Sequence, residues 1–204
     1  MLSFISWVSN EEQYRGLVDS ATCEDVEFVK IGQEVDSLAK AYNLGTSRAK
    51  GDIFVYVHQD VRIEGSQLFK TILEKTLQDE KIGFAGPIGS IAVNIGSWWT
   101  VGPGQCRGYI RQFANILSFG EYNGRARQLD GLMLCTKKRF QFPEELPKLH
   151  FLDLWMCMLA EEQGFYNWIF SGIIIQHLSG GERNSEHYNK NWAQYRTRFF
   201  ERKQ

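Results

Sequence analysis

The hydrophobic pattern is clearest from Gly51 to Ile63, where five apolar residues stand in a row and then give way to polar ones. Ile53 to Val57 lack the alternation of a half-solvated strand, which predicts a buried central strand of a parallel sheet. This strand ends in His58-Gln59-Asp60. Because ligands of open α/β sheets lie outside the carboxyl ends of the strands, these side chains are placed for binding or chemistry. Asp60 is the strongest candidate, and a turn-capping role is its structural alternative.

The rest of the first half alternates between predicted strands and helices. The strands are predicted at Leu2 to Val8, Val26 to Ile31 and Ile82 to Ala85, and the helices after Ser9-Asn10, from Asp36-Ser37 to Leu44, and from Ser66 to Leu77. Short polar residues precede the first two helices, as expected of helix caps. Short connections with one helix between successive strands predict parallel pairing with right-handed crossovers.

The pattern changes between Gly86 and Gly124, where eight glycines accompany Trp98, Trp99 and Tyr109. We interpret this stretch as a long loop, and long loops inside compact domains are usually functional or disordered. The aromatic side chains offer flat apolar surface to a sugar or another amphipathic substrate, or they simply pack on the domain.

Polar residues interrupt or end the strands of the second half. Asp130-Gly131 lies inside a strand predicted from Gln128 to Thr136, which implies that another group approaches closely there. Phe165 to Ile175 predicts another strand, which ends at His177. A single histidine at a strand end is more often a hydrogen-bonded structural residue than a ligand.

Two helices complete the predicted elements. Phe151 to Glu162 carries an apolar stripe, with Asp153 in its first turn, where the helix dipole alone would favour an acidic residue. The tail from Glu186 to Gln204 has aromatic residues at helical spacing among Lys190, Arg196, Arg198, Arg202 and Lys203. It predicts either a helix docked on the domain or one lying on an anionic membrane surface.

Composition limits the classes of protein. The chain has 204 residues, 43% hydrophobic and 23% charged, which fits one globular domain with a substantial core. Its net charge of -1 gives no general attraction to nucleic acid, so no nucleic-acid partner is expected. The four cysteines form no C-x-x-C pair, and no signal peptide or membrane-spanning run is visible. We therefore expect a cytoplasmic protein in a reduced compartment.

The order of several short motifs resembles that of the family-2-type inverting glycosyltransferases of the nucleotide-sugar-binding A fold. These motifs are Ser37-Leu38-Ala39-Lys40-Ala41-Tyr42-Asn43-Leu44-Gly45, Ala49-Lys50-Gly51-Asp52, His58-Gln59-Asp60, Leu129-Asp130-Gly131, Phe142-Pro143-Glu144-Glu145 and His150-Phe151-Leu152-Asp153. The sequence departs from the family pattern at two positions. His58 occupies the first acidic position of the D-x-D-type motif, and Trp155 stands where relatives often have a second acidic residue.

The resemblance implies a fold and an activity. The fold would be a Rossmann-like nucleotide-diphospho-sugar transferase fold of the A type, with a mixed, mostly parallel sheet flanked by helices. A single domain would contain a nucleotide-binding half (1–86), an acceptor-side half (87–182) and a C-terminal amphipathic helix (183–204). The reaction would move a sugar from a nucleotide-diphosphate donor to a saccharide or lipid-linked acceptor with inversion, in polysaccharide biosynthesis. Mn²⁺ or Mg²⁺ would stabilise the charge of the leaving diphosphate.

The resemblance also implies roles for particular residues. Asp60 and His177 would bind the metal ion, and Asp153 would be the catalytic base that inverting transfer requires. The residues expected to bind the nucleotide sugar are Ser9, Glu34, Ser37, Asn43, His58, Gln59, Asp130 and Gly131. Peripheral membrane contact through the C-terminal helix would bring such an enzyme to a lipid-linked acceptor.

Two other functions remain open at this point. A nucleotidyltransferase or other nucleotide-sugar enzyme should carry a glycine-rich basic loop after the first strand, whereas Ser9-Asn10-Glu11-Glu12 is acidic and lacks glycine. A degenerate transferase kept as a nucleotide-sugar-binding or scaffold protein is motivated by His58 and Trp155. Metal-dependent hydrolysis of a sugar nucleotide would distinguish an enzyme from this alternative.

Overall fold

The computed structural model describes residues 1–94, 98–146, 148, 150–179 and 186–201. The strands are β1 (Leu2–Trp7), β2 (Val26–Ile31), β3 (Ile53–Val57), β4 (Val61–Glu64), β5 (Ile82–Gly86), β6 (Ile88–Ser90), β7 (Cys106–Gln112), β8 (Asn115–Ser118), β9 (Gly124–Ala126), β10 (Gln128–Leu129), β11 (Met133–Thr136), β12 (Tyr166–Ile169) and β13 (Ile174–His177). The helices are α1 (Glu11–Ala21), α2 (Leu38–Arg48), α3 (Ser66–Thr76), α4 (Leu152–Glu162) and α5 (Glu186–Arg196). A 3₁₀ turn covers Trp98–Thr100, and a π-helical turn covers Thr197–Glu201.

The larger sheet has the strand order β2-β1-β3-β11-β5-β12-β9. β1 pairs in parallel with β2 and β3, and β12 pairs in parallel with β5, whereas β11 is antiparallel to both of its neighbours. Every residue of β3 is at most 3% exposed, as its unbroken apolar run predicts. The predicted mixed α/β sheet flanked by helices is therefore confirmed.

A smaller sheet has the strand order β10-β6-β7-β13-β4, and β8 also pairs with β7. It corrects the prediction of a long loop between Gly86 and Gly124, because β6, β7 and β8 all form within that stretch. Gly108 shows why the glycines misled the prediction: its φ is +87°, and a Cβ there would lie 2.2 Å from the Pro87 carbonyl oxygen. Gly89 and Gly108 thus allow close approach of paired strands, whereas Gly102, Gly104 and Gly120 lie between strands with no atom of the described residues within 4 Å of a Cβ.

Two strands predicted as single elements are each broken. In the first, β10 joins the smaller sheet and β11 the larger one, so Asp130-Gly131 lies in the connection between the sheets. In the second, β12 and β13 likewise belong to different sheets, with Gly172 at φ +91° between them. β10 and β11 are buried throughout, and β12 and β13 are buried at alternate positions, so hydrophobicity alone could not show either break.

One helix is longer than the sequence predicts. α2 continues through Gly45 to Arg48, although the glycine was expected to end it. A Cβ at position 45 would lie 2.2 Å from Cγ2 of Ile5 in β1. Gly45 therefore serves the close packing of α2 on the sheet and does not act as a helix terminator.

The C-terminal helix packs on the domain. Asn191 and Tyr195 of α5 are fully buried, and the Phe199 ring lies 5.1 Å from that of Trp155. Arg198 pairs with Glu162 of α4. Of the predicted tail, residues 183–185 and 202–204 lie outside the described residues, and contact with a membrane surface stays a prediction. Within the described residues, no helix has the length and apolar character needed to cross a membrane.

Candidate metal and catalytic site

A cavity of about 620 Å³ gathers residues from both sheets, α4 and α5. It brings together eight of the predicted site residues: Ser9, His58, Gln59, Asp60, Asp130, Gly131, Asp153 and His177. Most of them follow the carboxyl ends of strands or lie in the connection between the two sheets. The cavity therefore occupies the position where α/β sheets bind ligands.

His58, Asp60 and His177 form a cluster whose potential ligand atoms all lie within 4.8 Å of one another. The turn after β3 carries the first two, and the antiparallel pairing of β13 with β4 places His177 opposite Val61. The backbone N–H of Leu178 donates to the Asp60 carbonyl at 3.1 Å, and this hydrogen bond joins the end of β13 to the turn before β4. Two imidazoles and a carboxylate suit a divalent transition metal ion. The two ligands predicted from the sequence, Asp60 and His177, thus lie beside His58, whose imidazole is a third possible ligand, and metal binding by the three residues stays a prediction.

Burial and neighbouring charges set the protonation of this cluster. Burial would raise the pKa of the Asp60 carboxyl, but hydrogen bonds with His177 and Ser179 hold that pKa well below its usual range. Burial would lower the pKa of His177, but Asp60 raises it above its ordinary value. For His58, burial and then the nearby His177 lower the pKa. Asp60 is thus a carboxylate and His58 a neutral imidazole, the forms that bind divalent cations.

Gln59 fixes the loop between β1 and α1. Its Oε1 accepts the backbone N–H groups of Ser9 at 2.7 Å and Asn10 at 2.8 Å, and its Nε2 donates to Ser9 Oγ at 3.0 Å. Asn10 in turn caps α1 by accepting the N–H groups of Glu12 and Gln13. Two predicted nucleotide-binding residues, Ser9 and Gln59, therefore bind each other and shape this wall of the cavity.

The connection between β10 and β11 contains the carboxylate of Asp130 and contacts that of Asp153. Asp130 Oδ2 accepts the indole N–H of Trp98 at 2.9 Å, and its Oδ1 accepts the Leu132 N–H at 2.8 Å. Gly131 N–H donates to Asp153 Oδ2 at 2.9 Å. A Cβ at Gly131 would lie 3.2 Å from that of Asp153, so the approaching group that this glycine implied is the Asp153 side chain. The role of Trp98 as a hydrogen-bond donor to Asp130 was not predicted.

The environment of Asp153 suits proton transfer. Burial raises the pKa of its carboxyl to about 7, the Asp130 charge adds to the rise, and N–H groups of Leu154 and Gly131 oppose it. A general base works best when its pKa lies near the operating pH. Perturbed carboxyls in cavities are candidates for function, and the helix dipole does not account for a raised pKa.

The turn that precedes Asp153 depends on α5. Phe151 is left-handed with φ +66°, and its ring lies 4.8 Å from the ring of Tyr188. Asn191 Nδ2 donates to the His150 carbonyl at 2.8 Å. A non-glycine residue in this conformation costs about 1–2 kcal/mol, so the packing of α5 stabilises it. The aromatic spacing of the tail predicted a helix either docked on the domain or lying on a membrane surface, and nothing in it indicated which turn the helix covers.

Three predicted nucleotide-binding residues are not among the residues that line the cavity. Ser37 caps α2, and Glu34 lies 3.4 Å from Arg48. Asn43 accepts the Phe142 N–H at 2.8 Å and donates to its carbonyl at 3.0 Å. These contacts are structural, and binding of a nucleotide by these residues stays a prediction.

A Rossmann-like sheet with these side chains at its strand ends defines the A-type fold of nucleotide-diphospho-sugar transferases. The chain belongs to the Glycosyltransferase like family, whose model matches residues 3–203. The resemblance seen in the motifs is therefore confirmed. No curated protein sequence matches the chain.

Solved structures show the same fold at low sequence identity. GalNAc-T7 with UDP, GalNAc and Mn²⁺ is 9% identical with a TM-score of 0.67, over 96% of this chain and 47% of that one. S. aureus TarS 1-349 in complex with UDP is 14% identical with a TM-score of 0.54, over 98% of this chain and 72% of that one. The mannosyltransferase PcManGT from Pyrobaculum calidifontis in complex with GDP-Man and Mn²⁺ is 12% identical with a TM-score of 0.55, over 97% and 61%. The chain thus spans about half the length of the GalNAc-T7 chain.

Proposed function

We propose that this protein is a glycosyltransferase that moves a sugar from a nucleotide-diphosphate donor to an acceptor hydroxyl, with inversion and with the help of Mn²⁺ or Mg²⁺. The observation that carries the proposal is that the His58, Asp60 and His177 cluster shares one cavity with Asp153. Family membership supports the reaction type. The uridine and guanosine diphosphates bound in structural neighbours make UDP-sugars and GDP-sugars the first donors to test.

The ligand set fits a divalent cation. Asp60 would supply a carboxylate oxygen, and His58 and His177 would each supply a ring nitrogen. The imidazole ligands favour Mn²⁺ over Mg²⁺, because Mg²⁺ prefers oxygen ligands in an octahedral shell. When bound, the cation would stabilise as a Lewis acid the negative charge that develops on the leaving diphosphate.

Asp153 would remove the proton from the acceptor hydroxyl as the hydroxyl oxygen forms its bond to the anomeric carbon. The bond from that carbon to the diphosphate breaks, and its electron pair leaves with the nucleotide. A single displacement of this kind inverts the anomeric centre. Asp130, held by Trp98 and Leu132, would accept a hydrogen bond from a sugar hydroxyl, because both of its oxygens are already oriented.

The acceptor is a saccharide or a lipid-linked saccharide in this proposal, and the setting is cytoplasmic polysaccharide biosynthesis. Peripheral membrane contact would bring the cavity to a lipid-linked acceptor. The degenerate-transferase alternative was motivated by His58 and Trp155. As a metal ligand in the cluster, His58 would have a role in an active enzyme, whereas Trp155 packs against Phe199.

A ligand screen followed by a product analysis tests the proposal. The melting temperature is measured with UDP-sugars and GDP-sugars in the presence of Mn²⁺, Mg²⁺ or a chelator. A donor at 100 times its Kd stabilises the folded state by about 2.7 kcal/mol, which corresponds to a rise of roughly 5–10 °C for a chain of this size. The rise should require the metal ion.

The donor found in this screen is then offered with saccharide acceptors, and the anomeric configuration of the product is read by NMR. An inverted anomeric centre supports the single displacement, and a retained one contradicts it. Metal-dependent binding without any transfer or hydrolysis would instead support a nucleotide-sugar-binding protein. The absence of a thermal shift with every donor would contradict the proposed function as a whole.

A further inference from the structure

The exposed hydrophobic side chains are not scattered evenly over the described residues. Four large ones are exposed: Leu68, Trp99, Phe113 and Ile116. Trp99 lines the cavity, and Phe113 and Ile116 belong to the β7–β8 hairpin, whose flanking residues Gln112 and Leu117 also line it. Three of the four therefore lie on the cavity wall or on the hairpin that forms part of it.

Two exposed apolar side chains lie at the end of the hairpin, beside an ion pair between Arg111 and Glu64. In the β7–β8 register, Ile110 is opposite Leu117 and Arg111 is opposite Ile116. Paired residues point to the same face of a hairpin and successive ones to opposite faces, so Ile116 points away from the cavity wall that Leu117 forms. Ile116 is 62% exposed, and Phe113, in the turn itself, is 54% exposed. We call these two residues the hairpin tip.

The backbone of the tip is held firmly and makes its hydrogen bonds internally. Phe113 N–H donates to the His177 carbonyl at 3.0 Å, and the Phe113 carbonyl accepts from Gln176 Nε2 at 3.4 Å. β7 also pairs with β6 and β13. A backbone group can enter an apolar medium at low cost in free energy only if it is already hydrogen-bonded within the protein. The tip is therefore suited to such a medium, and its contact with β13 links it to the strand that carries His177.

The shape of the tip favours a lipid surface over a protein partner. A stable protein interface needs about 800 Å² on each partner, with a complementary face. Two side chains at the end of a hairpin present far less than that. A bilayer interface requires no matching surface, because apolar side chains gain simply by leaving water.

We propose that the hairpin tip inserts into the interface of a lipid bilayer and so holds the neighbouring cavity at the membrane surface. The acceptor would then be a molecule whose apolar part remains in the bilayer and whose sugar or phosphate end enters the cavity. This statement about the acceptor rests on the proposed function. The binding of lipid by the hairpin tip does not depend on it.

Sedimentation of the full chain with vesicles tests the proposal, without any sugar nucleotide present. The vesicles are of phosphatidylcholine, with and without phosphatidylglycerol. The test variant is Phe113→Asn/Ile116→Thr, in which Asn tolerates the left-handed φ of +52° at position 113 and Thr keeps a β-branched side chain. The control is Leu68→Gln, which removes a side chain of similar exposure, 51%, from α3.

The wild-type protein and the Leu68→Gln variant should bind both kinds of vesicle, and the binding should be largely insensitive to salt. The double variant should bind about 100-fold more weakly, since burying each large apolar side chain strengthens partitioning by at least about tenfold. Its melting temperature should match that of the wild type, which excludes misfolding.

Several results would overturn the proposal. They are an absence of wild-type binding, equal losses in the double variant and the Leu68→Gln variant, and unchanged binding in the double variant. Salt-sensitive binding to anionic vesicles alone, lost on changing Arg196 and Arg198 to Gln, would assign the contact to the C-terminal tail. Concentration-dependent dimerisation that the double variant abolishes would assign the tip to a second copy of the chain. Because the readout is lipid binding, a failure here leaves sugar transfer untested and unaffected.

Discussion

Replacement of Asp153 by Asn should have opposite effects on activity and on stability. In the wild type, Gly131 N–H donates to Asp153 Oδ2 at 2.9 Å. Asn keeps the shape of the side chain and an oxygen that can accept this hydrogen bond. It cannot take a proton from an acceptor hydroxyl. Sugar transfer should fall by about 100-fold or more, the usual contribution of a general base, with donor affinity nearly unchanged.

The stability effect follows from the raised pKa. Burial raises the pKa of Asp153 from its ordinary value of 3.8 to about 7, so between these values the folded protein keeps a proton that the unfolded chain has released. The free energy of unfolding of the wild type therefore falls as pH rises through this window. The total loss is at most about 4 kcal/mol, at about 1.4 kcal/mol for each pH unit. Asp153 is only partly buried and lines the cavity, so screening by solvent reduces this value.

Urea unfolding of both proteins between pH 4 and pH 8, beside transfer kinetics over the same range, measures the two effects. Near pH 4 the two stabilities should nearly agree, and at pH 8 the variant should be the more stable. The wild-type kcat should rise as pH increases through about 7, as the base loses its proton. Glu12→Gln is the matched control, because it also removes an acidic side chain from the first turn of a helix, α1.

A helix-dipole role for Asp153 makes the contrary prediction. The Asp153→Asn variant would then lose a few tenths of a kcal/mol at pH 8, like the control, and would keep wild-type turnover. That pair of results would refute the assignment of Asp153 as the base. It would also show that the cavity does not keep the carboxyl protonated.

Three further variants test other parts of the site. Asp60→Asn should weaken Mn²⁺ binding by more than about 100-fold in calorimetry. Replacing a residue that only supports a metal ligand already lowers metal affinity by about 10–100-fold, and Asp60 would be a ligand itself. The metal-free variant should still fold. Gly131→Ala should lower kcat by about 10–100-fold at unchanged donor affinity, because a methyl group would lie 3.2 Å from the Cβ of Asp153 and displace it. Tyr195→Phe should cost about 1 kcal/mol in urea unfolding, since the buried Gln128 amide would lose the hydroxyl that now lies 3.1 Å away. An unchanged Mn²⁺ affinity, kcat or free energy of unfolding would contradict the role given to Asp60, Gly131 or Tyr195, respectively.

The sequence predicted the parts of the site that depend on local pattern. The five apolar residues of β3 and the polar residues after them mark a buried strand and its exit within a few positions. The Asp130-Gly131 pair predicted a close approach because glycine inside an apolar strand needs a local reason. Both statements follow from neighbouring residues. β3 is buried, and Gly131 does contact Asp153, although Gly131 lies between β10 and β11 and not inside one strand.

The parts that depend on pairing between distant strands could not be predicted. His58 meets His177 only because β13 pairs with β4, and no pattern in either segment specifies that partner. Trp98 reaches Asp130 for a similar reason, since the smaller sheet carries both of their segments into place. A buried apolar run also gives no sign of where the chain leaves one sheet for the other.

The left-handed turn at Phe151 links the position of Asp153 to the packing of α5 on the domain. The turn is covered by α5, a helix with a largely polar sequence whose end is a short π-helical turn. Local opening of such an element requires less free energy than unfolding of the central sheet. Once uncovered, the turn relaxes and α4 no longer presents Asp153 to Gly131. On heating, transfer activity should therefore be lost reversibly several degrees below the melting of the sheet, and amide exchange in residues 186–196 should follow the loss of activity.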